Sequence, residues 1–138
     1  SMEVYNGTYT DTAGRELGYP EVFIERNLAT TEAQRRVFRK AVKAGVTLLY
    51  GTDAGVLPHD MGGWQFEIMI EQGMTPMQAI QSATSVAAQH MGISQAVGNI
   101  SPGLQADIIA VRGNPLENAS LLRAVPFVMM DGAVVKAP

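Results

Sequence analysis

A chain of 138 residues is about one domain's worth of polypeptide, long enough to bury a sizeable core. Its net charge of −3 argues against a nucleic-acid partner, and the absence of cysteine excludes disulfides and thiolate metal sites. No apolar run approaches the roughly 20 residues that cross a bilayer, and the N-terminus lacks the basic start and apolar core of a signal peptide. The expectation is a soluble, cytoplasmic protein with no nucleic-acid or membrane partner. Ser1 ahead of Met2 reads as a tag-cleavage remnant and is set aside.

From Met2 to Pro20 the chain is rich in Gly, Thr, Tyr and Asp without a clear period, an irregular lead-in. Glu21 to Leu28 predicts one short helix. A second helix is predicted to start at the capping box Thr31-Glu32-Ala33-Gln34, with Val37, Phe38, Ala41 and Val42 on its apolar stripe. Lys40 and Lys43 suit its last turn, and Gly45 is a natural stop.

That stop feeds the stretch on which the chain is organised, Val46-Thr47-Leu48-Leu49-Tyr50-Gly51-Thr52-Asp53-Ala54-Gly55. An apolar run without polar alternation predicts a strand covered on both faces, as in a parallel sheet, and the glycines after it allow a sharp turn. Asp53 then sits just past the carboxyl end of the strand, where α/β folds carry their chemistry. The competing reading is an aspartate that only closes the turn through its own backbone.

Beyond a loop containing Pro58 and His59, Trp64 to Gln72 predicts a helix stopped by Gly73. Thr75, Pro76 and Gln78 mark the next start with a capping box and a proline at the first helical position. Met77, Ile80, Ala83, Ala87, Ala88 and Met91 form one face, read as core, up to Gly92. His90 reads as a surface or dipole-facing histidine. From Val97 the texture changes: a strand over Asp107 to Val111, a short helical turn within Leu116 to Arg123, and a hairpin of 127–130 and 133–136 across Asp131-Gly132.

The order of these motifs resembles a known family. Gly51-Thr52-Asp53-Ala54-Gly55, Pro58-His59, Gly73-Met74-Thr75-Pro76-Met77-Gln78-Ala79-Ile80, Gly98 through Ile108 and Val128-Met129-Met130-Asp131-Gly132 together look like the C-terminal part of the amidohydrolase superfamily. The spacing is most similar to its Xaa-Pro dipeptidase (prolidase) and imidazolonepropionase-like branch. The resemblance implies an α/β fold: the C-terminal fragment of a (β/α)8 metal-dependent hydrolase barrel over 2–97, followed over 98–138 by short antiparallel strands of a small β-sandwich domain. It implies hydrolysis of C–N bonds in Xaa-Pro dipeptides or related amides, with a divalent metal, zinc first among candidates.

In such enzymes the aspartate matched by Asp53 contacts the metal, accepts a proton from the attacking water and returns it to the leaving amine. Those roles suit a carboxylate beside a metal that lowers the pKa of bound water. His59 is similar in position to a substrate-facing histidine; the other reading is a loop-stabilising one. The family's His-x-His pair, carboxylated lysine and two further histidines have no counterpart, since His59 and His90 are the only histidines. The isolated chain is therefore expected to bind no metal and to be inactive, its partner being the missing N-terminal barrel part. A rival expectation is a non-catalytic module that self-associates, and a remote one an aspartic dyad formed by Asp53 across a symmetric dimer.

Overall fold

The computed structural model describes residues 13–52 and 59–138. Its first element, α1 (Glu21–Lys43), is one continuous helix of 23 residues, where the sequence predicts two. Pro20 precedes it and Glu21 lies in its first turn, so the start is set by proline and by an anion at the positive end of the dipole. The exposed Glu21 carboxylate accepts two hydrogen bonds from the Arg15 guanidinium, which holds its carboxyl below the ordinary range. That contribution is present above the unfolded pKa and is lost as pH falls through the folded one.

Thr31 does not cap a second helix. Its hydroxyl donates to the Asn27 carbonyl at 2.8 Å, one turn back, and its side chain is buried, so the helix passes through it. At the other end Gly45 adopts φ 71°, with its N–H bonded to the Val42 carbonyl and that of Val46 to the Ala41 carbonyl. This pairing satisfies the last carbonyls and turns the chain sharply into residues 46–52.

Those residues carry no helix or strand of their own, and no strand among the described residues pairs with them. Their side chains alternate. From 47 to 50, Leu48 and Tyr50 pack on a buried cluster of Phe38, Ile68, Met69 and Ala79 whereas Thr47 and Leu49 are exposed, Leu49 by 42%; Val46, before the alternation begins, is 54% exposed. Within the described residues the helices pack against the side carrying Leu48 and Tyr50, and Leu49 on the other side is partly exposed. Beyond the Gly45 turn, a backbone bond from the Tyr50 N–H to the Ser82 carbonyl at 3.0 Å ties the segment to the helices.

Three helices follow. The first, α2 (Trp64–Glu71), ends as predicted at Gly73, whose φ is 110°. The capping box of α3 (Pro76–Ala83) is complete: the Gln78 N–H donates to Thr75 Oγ1 at 3.2 Å, and the Thr75 N–H to Gln78 Oε1 at 2.9 Å. The predicted helix to Met91 is instead broken at Thr84 (φ −129°, ψ −101°), and α4 (Ser85–His90) resumes beyond it. The buried positions here are Ala79, Ser82 and Ala88, while Met77 and Met91 are exposed, so the methionines do not form the core expected of them.

The chain then closes in a three-stranded antiparallel sheet of β1 (Ile108–Ala110), β2 (Phe127–Met130) and β3 (Ala133–Lys136), in that order. Ile108 lies opposite Met129, and Met130 opposite Ala133. Asp131 and Gly132 both take positive φ, 49° and 77°, as a tight two-residue hairpin turn requires. The turn is held from outside by Asp107, whose Oδ1 accepts the Asp131 N–H at 2.7 Å. Between β1 and β2 a 3-10 turn, Ala119–Arg123, is capped by the Asn118 side chain.

The break at Thr84 coincides with a close backbone approach. A Cβ on Gly98 would stand 2.6 Å from Ala88 Cβ and 3.2 Å from the Thr84 carbonyl oxygen, and Gly98 has φ 102°. Gly98→Ala is expected to destabilise the chain by about 3 kcal/mol, from left-handed strain plus overlap with helix atoms. Urea unfolding monitored by circular dichroism checks this, and a midpoint equal to that of the parent chain would refute it.

Candidate functional site

The carboxyl end of the 46–52 segment faces the start of α2, and the contacts there are polar. Gln65, in the first turn of α2, is 2% exposed, and its Nε2 donates to the Gly51 carbonyl at 2.9 Å. The Tyr50 hydroxyl donates to the Gly62 carbonyl in the 3-10 turn His59–Gly63, and the Tyr50 ring stacks on Phe66 with centroids 4.6 Å apart. The last residues of the segment are therefore tied to both the turn and the helix that follow.

The same turn is fixed from its other side. A Cβ on Gly63 would lie 2.7 Å from Arg123 Cα and 2.8 Å from the Leu122 carbonyl carbon, so only glycine lets the two backbones meet. Beside them Arg123 forms a two-pronged ion pair with Glu67, Nη2 to Oε2 at 2.8 Å, and its guanidinium lies 4.2 Å from the Trp64 ring centroid. An arginine fits here because its planar fork matches a carboxylate and its face stacks on an indole.

Of the residues singled out from sequence, Asp53 lies outside the described residues, as do Ala54 to Pro58. His59 opens the 3-10 turn and is exposed. His90 behaves as predicted: it is exposed at the end of α4, with Nδ1 3.0 Å from the Val86 carbonyl oxygen. Among the described residues no group of three or more His, Cys, Asp or Glu side chains could hold a metal ion. Nor is any described helix long and apolar enough to cross a membrane.

Sequence reasoning missed Gln65, the Tyr50 hydroxyl and the Glu67–Arg123 pair. For Gln65 a signal was present: positions 65, 68 and 69 fall at i, i+3 and i+4, so a glutamine shares the buried stripe of Ile68 and Met69. A polar residue on a buried face needs a partner.

Helices packed on one side of the 46–52 segment, followed by a small antiparallel sheet, define an α/β protein with its candidate chemistry at the segment's carboxyl end. Comparison with known proteins gives the class. The amidohydrolase family matches residues 8–137, and the chain belongs to that family. A solved Xaa-Pro dipeptidase with methionine bound in its active site superposes with a TM-score of 0.86 at 35% identity, over 98% of this chain and 34% of that one. Ochratoxinase from Aspergillus niger is 33% identical over 115 residues, covering 80% of this chain and 24% of the relative. Imidazolonepropionase from Flavobacterium psychrophilum is 38% identical over 77 residues, 54% of this chain and 19% of the relative. The chain thus spans about a quarter of the ochratoxinase and a third of the dipeptidase.

Arg123→Lys keeps the charge but loses the paired geometry and the stacking. It is expected to lower stability by about 1 kcal/mol at low salt and by less at high salt. Denaturant titrations at two ionic strengths check both the loss and its screening.

Proposed function

We propose that this chain is the C-terminal part of a metal-dependent hydrolase of C–N bonds that takes small amides, dipeptides ending in proline being the first substrates to try. The observation that carries the reading is the likeness to an Xaa-Pro dipeptidase over 98% of the chain. Residues 2–97 then belong to a (β/α)8 barrel, with 46–51 as its last strand, and 98–138 to a small sandwich domain. Support for the barrel assignment comes from the one-sided packing of the segment: Leu48 and Tyr50 meet helices, and the face carrying Leu49 is open. A barrel strand has helices outside and a packed interior on its other face.

In this reading Asp53 follows Thr52 at the carboxyl end of the strand, the end at which barrel enzymes carry their chemistry. Its carboxylate accepts a proton from the attacking water and hands it to the leaving amine, so that a poor amide leaving group departs neutral. His59 contributes to the substrate side of the same rim. The described residues do not fit a metal centre by themselves. The family is generally metal-dependent, so the divalent ion, with zinc as first candidate, is assigned to ligands in the remaining two thirds of the enzyme together with Asp53, and the enzyme acts in the cytoplasm.

The isolated chain is expected to be silent towards Xaa-Pro dipeptides with zinc or manganese added, and metal-dependent turnover would overturn that assignment. Supplied with the upstream two thirds of the similar dipeptidase, it is expected to regain hydrolysis. Asp53→Asn in that assembly should lower kcat by about 10²–10⁴-fold, the usual share of a general acid–base group.

The exposed Leu49 favours one rival reading, a non-catalytic module that covers this face by self-association. Sedimentation velocity separates the two: a weight-average mass that rises with concentration supports the rival, and a monomer at all concentrations removes it.

A further inference from the structure

We infer that Gln65 is a positioning residue whose buried amide sets the carboxyl end of the 46–52 segment against the 3-10 turn His59–Gly63; the inference rests on the catalytic reading of that end. The Gly51 carbonyl can only accept, so the Gln65 atom 2.9 Å from it is the donating Nε2, and the amide's orientation is determined. Gln65 Oε1 is also buried and has no hydrogen-bond partner among the described residues. An apolar side chain of the same length would fill this space without an open acceptor, so packing alone does not account for an amide here.

What the amide does is local and geometric. At the end of the segment the Gly51 carbonyl is taken by a side chain, the Gln65 amide, and not by any strand among the described residues. Gln65 takes the Gly51 carbonyl, and the Tyr50 hydroxyl takes the Gly62 carbonyl. Two bonds from adjacent residues therefore reach across to residues 62 and 65, which follow the loop. Both are held on rigid elements: Gln65 on α2, within the first turn that also carries the Glu67–Arg123 pair, and Gly62 beside Gly63, which abuts the Leu122 backbone. Such support keeps reacting groups within the narrow tolerance that catalysis needs.

Two measurements test the inference. On the chain itself, hydrogen exchange is compared for the parent, for Gln65→Met, which keeps length and removes both polar atoms, and for Tyr50→Phe, which keeps the ring stack. Gln65→Met is expected to speed exchange at 51–52 and 59–63 by about 10-fold or more, with the amides of α3 and of β1–β3 within about 2-fold of the parent. Tyr50→Phe should show the same pattern, and it serves alone where Gln65→Met does not fold. Exchange unchanged at the turn, or raised evenly along the chain, would overturn the positioning role.

In the assembly with the upstream two thirds, Gln65→Met is expected to lower kcat by roughly 10–100-fold with KM within about 2-fold, the signature of misplacement without lost binding. Retained kcat in Gln65→Met beside an inactive Asp53→Asn would overturn the inference and leave the proposed function standing. Full activity in Asp53→Asn would overturn the proposed function, while the exchange result would still decide whether the clamp exists.

Discussion

Leu48 and Tyr50 lie with one face against Phe38, Ile68, Met69 and Ala79, and this contact holds the rest of the structure in place. Beyond its turn out of α1, the segment carrying them has one backbone bond to the helices among the described residues, at Tyr50. A net hydrogen bond is worth about 1 kcal/mol, whereas burying a large apolar side chain is worth about 1.5–3 kcal/mol. Side-chain burial therefore dominates, and it brings residues of α1, α2 and α3 into one cluster. The Gly45 turn makes this possible by reversing α1 directly into the segment, so that Val42 on the helix and Leu48 beyond the turn reach the same cluster.

Two close backbone approaches connect that helical layer to the region of the small sheet. Gly63 meets Leu122, and Gly98 meets the helix break at Thr84 and Ala88. Each replaces a side-chain interface by direct backbone contact, which leaves little room to slide. The Glu67–Arg123 pair and the Trp64 ring sit at the first of these approaches. The C-terminal region thus bears on the very turn that follows the candidate site, through Leu122 and Arg123.

The one-sided covering of residues 46–52 has a direct meaning for a family member that spans only about a third of the dipeptidase it resembles. Half of a strand's side chains point to each face. The half that meets α1–α3 is already packed, and the half carrying Leu49 is the part of the fold that lies outside this chain's own contacts. An edge and an apolar face of this kind invite either the remaining strands of a barrel or another copy.

Much of the local structure was legible in the residues themselves. The Thr75–Gln78 capping box, the stops at Gly45 and Gly73 and the Asp131-Gly132 turn each depend on backbone groups within a few positions, so their signals survive without knowledge of the fold. The order of those motifs was enough to indicate the amidohydrolase family. The continuity of α1 through Thr31 was not legible, because a threonine hydroxyl can cap a helix or bond back one turn, and only burial of that face chose the second. The break at Thr84 lies against Gly98, 14 positions further on, a contact no local signal announces. The Gln65–Gly51 bond spans 14 residues and the Glu67–Arg123 pair 56. Sequence determined where helices and turns start and stop; tertiary structure alone decided which carbonyl a buried amide meets and which carboxylate an arginine finds, since those choices follow from surfaces brought together only when the chain packs.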